Sequence, residues 1–156
     1  MQRKLTLKEW IKVVVISMVS AVGLNLFLTV VDLQKFSPAY QEAVKTLYAP
    51  PFIQQILLVG ILCPVFEEFL FRGLVFRLIR KKLSFFWAGI LSAMIFGLYH
   101  GNLVQFVYAW ILGLLLAHFY EKYQSLLVPI VSHIAMNTIV LVLTEINGFI
   151  WMLQKC

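Results

Sequence analysis

The feature that most constrains this chain is a row of apolar stretches of membrane-crossing length, one of which carries Glu67, Glu68 and Arg72 in its interior. A helix needs about 20 mostly apolar residues to cross the hydrocarbon core. Five stretches meet or approach that length: residues 13–31, 51–78, 83–99, 103–120 and 125–144. The chain is 62% hydrophobic and 13% charged, where a soluble domain has about 45–50% and about 25%. The expected fold is therefore all-α: a multi-pass transmembrane helical bundle of about five spans, forming a single membrane domain over residues 1–156.

The net charge of +6 does not point to nucleic acid, because the charges gather at the ends of the apolar runs. There they act as topology signals and contacts for anionic lipid. Arg3, Lys4, Lys8, Lys12, Arg77, Arg80, Lys81, Lys82 and Lys122 fall on one side, and only Lys35, Lys45 and Lys155 on the other. This bias predicts a multi-pass protein of the cell membrane with a cytoplasmic N-terminus. The uncharged run 13–31 is longer than the roughly 7–15 residues of a signal h-region and is expected to be a retained span. Ser37-Pro38 predicts the start of a short external helix ending near Tyr48. The tail from Ile146, with Trp151, is expected at the interface. Cys63 and Cys156 give neither a disulfide framework nor a metal spacing.

Charged residues at the centre of a membrane helix cost roughly 2.5–3.5 kcal/mol each on insertion scales, so Glu67-Glu68-Phe69-Leu70-Phe71-Arg72 demands a reason. Glu68 and Arg72 are four apart and can pair on one helix face. Glu67 points about 100° away and has no partner on its own helix. One carboxylate can stay ionised against Arg72. The other, desolvated beside a like charge, is suited to exchange a proton near neutral pH. A purely structural ion pair would explain Glu68 and Arg72 but not Glu67. Pro64 is expected to kink this helix and free a carbonyl near the carboxylates.

His133 and Asn137 are also four apart and share a helix face. A lone membrane histidine usually serves as an interhelical hydrogen-bonding group; with Asn137 and Glu67 it could instead enclose a polar cavity. At about 1.5 Å per residue, Glu68 lies about 14 Å from Arg77 and His133 about 12 Å from Ser125, so the two share a depth. His100 lies about 27 Å from Lys82 by the same arithmetic. It joins them only if its helix tilts or the turn at His100-Gly101-Asn102 dips inward. His118, near Glu121 and Lys122 at a helix end, needs no special role. The glycines, including Gly97 and Gly113, read as close-packing positions.

The three motifs in order, Glu-Glu-x-x-x-Arg (67–72), Phe-x-x-x-His (96–100) and His-x-x-x-Asn (133–137), resemble those of the CPBP family: the CAAX proteases and bacteriocin-processing enzymes, also called the Abi family. The resemblance covers a core over residues 51–143. It implies an intramembrane endopeptidase acting by glutamate-activated water on a membrane-associated peptide or lipidated protein. Carried over, Glu67 is the general base with His100 as its partner. Glu68 and Arg72 orient the site, and His133 and Asn137 are the oxyanion donors. No cofactor is favoured. The alternative is a zinc ion on Glu67, His100 and His133, although no His-Glu-x-x-His helix is present. Family members commonly carry extra helices, which leaves a second reading, a non-catalytic membrane immunity or scaffold protein. A proton or ion carrier is a third, disfavoured by the lack of an inverted repeat.

Overall fold

The computed structural model describes residues 5–153, so Arg3, Lys4, Lys155 and Cys156 lie outside the described residues. It has six helices in chain order. Helix α1 spans Leu7–Val30 and α2 spans Pro38–Tyr48. Helix α3 covers Phe52–Arg80, α4 Phe85–Tyr99, α5 Leu103–Tyr123 and α6 Leu127–Leu153. Among the described residues there is no strand. The all-α expectation holds, and the helix predicted from Pro38 to Tyr48 is present with its boundaries.

Local chemistry sets these ends. Thr6 Oγ1 accepts from the Glu9 N–H at 3.3 Å, and the Glu9 carboxylate accepts from the Thr6 N–H at 2.9 Å, a capping box that opens α1. Ser37 Oγ accepts from the Tyr40 N–H at 3.4 Å, and Pro38 takes the first helical position of α2. Helix α6 runs on through the tail from Ile146 to Leu153 instead of ending near Thr144; the side chain of Trp151 lies outside the described residues.

The apolar helices differ in length. Helices α1, α5 and α6 (over Leu127–Asn147) are each long and apolar enough to cross a membrane, and α2 with α3 makes a fourth unit bent by 114°. Helix α4 is apolar but has only 15 residues. At 1.5 Å per residue it covers about 22 Å, short of the roughly 30 Å hydrocarbon core. The protein is integral to a membrane; among the described residues three helices, or four units with the bent pair, are long and apolar enough to cross it, and α4 is shorter.

Helix α4 returns along α5, and α1 packs on α6. The α4–α5 approach is close because Gly97 has no side chain: a Cβ there would stand 2.7 Å from the Phe106 carbonyl oxygen. Ala21, Leu112, Leu116 and Met136 bury together between α1, α5 and α6, and Phe76, Ala88 and Ala117 between α3, α4 and α5. Toward the basic end, Arg80 on α3 donates to Glu121 on α5 at 2.9 and 3.0 Å.

Helix α3 continues past Pro64, from Phe52 to Arg80. The 114° bend lies before it, between α2 and α3. The backbone instead widens into π-helical turns over Ile56–Leu62 and Phe69–Phe76, on either side of a regular stretch at Cys63–Glu68. The Cys63 N–H reaches back to the Leu58 carbonyl. The next residue, Pro64, has no N–H, so the Val59 carbonyl lacks its counterpart in this wide turn. The carbonyl expected from the sequence to lack a backbone donor is therefore that of Val59.

Candidate active site

Glu68 and Arg72 face the helices that pack on α3. Arg72 Nη1 donates to Glu68 Oε1 at 2.6 Å, and the two side chains are 1% and 0% exposed. Arg72 Nη2 donates to the Gly113 carbonyl of α5 at 3.0 Å, and the guanidinium carbon lies 4.6 Å from the centre of the Phe96 ring. Carboxylate, carbonyl and ring thus share one buried cation. Gly113 makes this possible: a Cβ there would come within 3.1 Å of both Arg72 Nη2 and Ala93 Cβ.

His133 on α6 sits between the two carboxylates. Its Nδ1 is 2.9 Å from Glu68 Oε1, and its Nε2 is 3.6 Å from Glu67 Oε2. Glu68, ionised against Arg72, only accepts, so Nδ1 carries the hydrogen. That fixes the ring and turns Nε2 toward Glu67. The 3.6 Å separation is too long for a hydrogen bond and short enough for a charge contact. Glu67 is 16% exposed and lines a cavity of about 270 Å³.

His100, Asn137 and His133 line the same cavity. His100 ends α4, and its Nδ1 donates to the Phe96 carbonyl at 2.9 Å, leaving Nε2 as the free nitrogen. The depth counted along a straight helix is met by the cavity itself, which runs from Glu67 to the end of the bundle covered by α2, where Tyr40 and Tyr48 line it. Asn137 Nδ2 donates to the Val59 carbonyl at 3.0 Å, the group Pro64 leaves without a backbone donor. One of its amide hydrogens is thus committed to holding α3.

All six residues singled out in the sequence meet around α3: Glu67, His100, His133 and Asn137 on the cavity, and Glu68 and Arg72 behind it. His118 packs against Phe85, with ring centres 6.2 Å apart. Three participants are backbone carbonyls, at Phe96, Gly113 and Val59, which side-chain motifs do not mark. Phe96 contributes its ring to Arg72 as well as standing in the second motif. Among the described residues, no three His, Cys, Asp or Glu side chains are placed to hold a metal ion together.

Residues 49–139 match the family described as type II CAAX prenyl endopeptidase Rce1-like. The chain is also similar to a Bacillus subtilis (strain 168) protein named "Putative membrane peptidase YdiL", at 34% identity over 88 residues. That alignment covers 56% of this chain and 36% of the relative, so it spans about a third of the relative's length. No solved structure matches.

Proposed function

This chain belongs to the Rce1-like family of type II CAAX prenyl endopeptidases, and we propose that it is an intramembrane endopeptidase in which Glu67 activates the hydrolytic water. The observation that carries this reading is the unequal setting of two adjacent carboxylates. Glu68 is closed in by Arg72 and His133, while Glu67 opens on a cavity shared with two histidines and an asparagine.

In this reading a water between Glu67 and His100 gives a proton to the Glu67 carboxylate as its oxygen bonds to the peptide carbonyl carbon. His133 Nε2 takes up that proton and becomes a donor to the oxyanion, with the remaining amide hydrogen of Asn137 beside it. Collapse breaks the C–N bond, and the proton passes to the leaving amine. Glu68 and Arg72 keep the imidazole in place without touching the substrate. The donor geometry supports a route without metal over zinc on Glu67, His100 and His133, because among the described residues no three His, Cys, Asp or Glu side chains are placed to hold an ion together. The charge bias places the N-terminus in the cytoplasm of a cell-membrane protein, and substrates are membrane-associated peptides or lipidated proteins.

The test is a digest of an apolar peptide library by the purified protein in lipid nanodiscs, with new N-termini identified by mass spectrometry. Cleavage should occur with the native chain and vanish in Glu67→Gln. Undiminished turnover in that variant would sink the assignment of Glu67.

A further inference from the structure

A second recess lies at the basic end of the bundle and shares no lining residue with the cavity at Glu67. It is a groove of about 380 Å³, with Arg77, Arg80 and Lys81 from the end of α3 on one wall and Tyr120 and Glu121 of α5 on the other. Arg80 is already committed. Its Nε and Nη2 donate to Glu121 at 3.0 and 2.9 Å, and its Nη1 to the Leu83 carbonyl at 3.2 Å. That pairing neutralises the one carboxylate among the lining residues. Arg77 and Lys81 have no hydrogen-bond or ion-pair partner among the described residues. They are four apart on one helix face, where like charges repel. The Tyr120 ring stands edge-on to Phe76 with centres 5.6 Å apart, and its hydroxyl has no hydrogen bond among the described residues. Other basic side chains are placed differently: Lys122 lies over the Tyr123 ring at 5.3 Å, and Lys35 and Lys45 pair with Asp32 and Glu42.

The inner end of the groove is apolar. Gly73 lies one turn deeper than Arg77 and faces Leu126, whose Cδ2 would stand 3.6 Å from a Cβ at that glycine. Further along the same face of α3, Phe69 and Phe66 are 57% and 71% exposed; on a membrane helix such side chains meet acyl chains. We propose that this groove binds one anionic phospholipid, its phosphate held by Arg77 and Lys81 with the Tyr120 hydroxyl as a third donor, and one acyl chain laid past Gly73 along Phe69 and Phe66. A phosphodiester accepts from all three groups and relieves the repulsion between the two free cations. A zwitterionic headgroup brings its own ammonium to the same place and gains less. Free phosphate meets the same cations but leaves the apolar lane uncovered. The site does not depend on the endopeptidase reading.

The full chain, purified in detergent and stripped of lipid, is titrated with dioleoylphosphatidylglycerol or dioleoylphosphatidylcholine, and bound lipid is counted by native mass spectrometry. The first phosphatidylglycerol should bind about tenfold tighter than the first phosphatidylcholine, from two cations that each contribute severalfold. Arg77→Gln with Lys81→Gln should shrink that ratio to about twofold or less. Lys8→Gln with Lys12→Gln removes the same charge outside the groove and should leave the ratio unchanged. Gly73→Leu fills the inner end without altering charge and should weaken phosphatidylglycerol binding by about tenfold, which keeps the site testable if the first double variant fails to accumulate. Inorganic phosphate in large excess should not displace the lipid. Equal affinity for the two lipids, full binding in Gly73→Leu, or an equal loss from the Lys8 and Lys12 pair overturns the proposal. Displacement by inorganic phosphate overturns it too and assigns the groove to the free anion.

Discussion

The two faces of α3 solve the same problem in opposite ways. On one, Glu68 gives up every degree of freedom: its side chain is 0% exposed, with Arg72 at 2.6 Å and His133 Nδ1 at 2.9 Å on the same oxygen. On the other, Glu67 keeps a cavity in front of it and a contact of 3.6 Å to the far nitrogen of the same imidazole. Residue type and sequence neighbourhood are nearly identical; the turn of about 100° between them decides which carboxylate is enclosed and which opens on the cavity. A buried pair of this kind is weak evidence of net stability, but removing one member leaves an uncompensated charge. The scaffold face should therefore fail by unfolding and the cavity face by losing turnover.

That contrast breaks most easily at Arg72. Arg72→Ala strands Glu68 in the core and should cost about 3–5 kcal/mol, seen as a large drop in thermal stability in detergent and loss of activity with it. An unchanged melting curve would show that Glu68 is not held as described. Glu67→Gln should do the reverse: cleavage falls by about 10²–10⁴-fold while the melting temperature stays close to that of the native chain. Gly113→Ala tests the cradle from the α5 side. Its Cβ meets Arg72 Nη2 and Ala93 at 3.1 Å, an overpacking expected to cost about 1–3 kcal/mol, with turnover reduced less than in Glu67→Gln. The smallest effect belongs to the link between α6 and α3. Asn137→Ala removes the donor to Val59, worth about 0.6 kcal/mol for an interhelical bond in a membrane. Adding Pro64→Ala supplies a backbone N–H for that carbonyl, so the double variant should recover part of the loss in a double-mutant thermal analysis.

The division between the glutamates was legible in the sequence because it depends only on helix geometry and on the four-residue step to Arg72. The free carbonyl near Pro64 was legible too, since a missing donor is a local fact. Its consequences were not. Which group meets that carbonyl depends on what packs against the helix, and the partner of Val59 lies on α6. Gly113 read as a packing residue because nothing in an apolar run says that its carbonyl will meet a guanidinium 41 residues away. Counting along a straight helix put His100 near the outer end, and the count could not show that the cavity reaches there. The five apolar runs each became a helix, α4 the shortest of them at 15 residues.

The partners of α3 arrive late in synthesis. Arg72 meets a carbonyl 41 residues downstream, Glu68 an imidazole 65 residues downstream, and Val59 an amide 78 residues downstream. A polar backbone group left bare in lipid costs several kcal/mol, so α3 on its own is a poor lipid-exposed helix until α5 and α6 exist. The order of translation thereby becomes a waiting time. A chain cut short before Asn137 would leave the Val59 carbonyl of the helix that carries the candidate base without its amide partner.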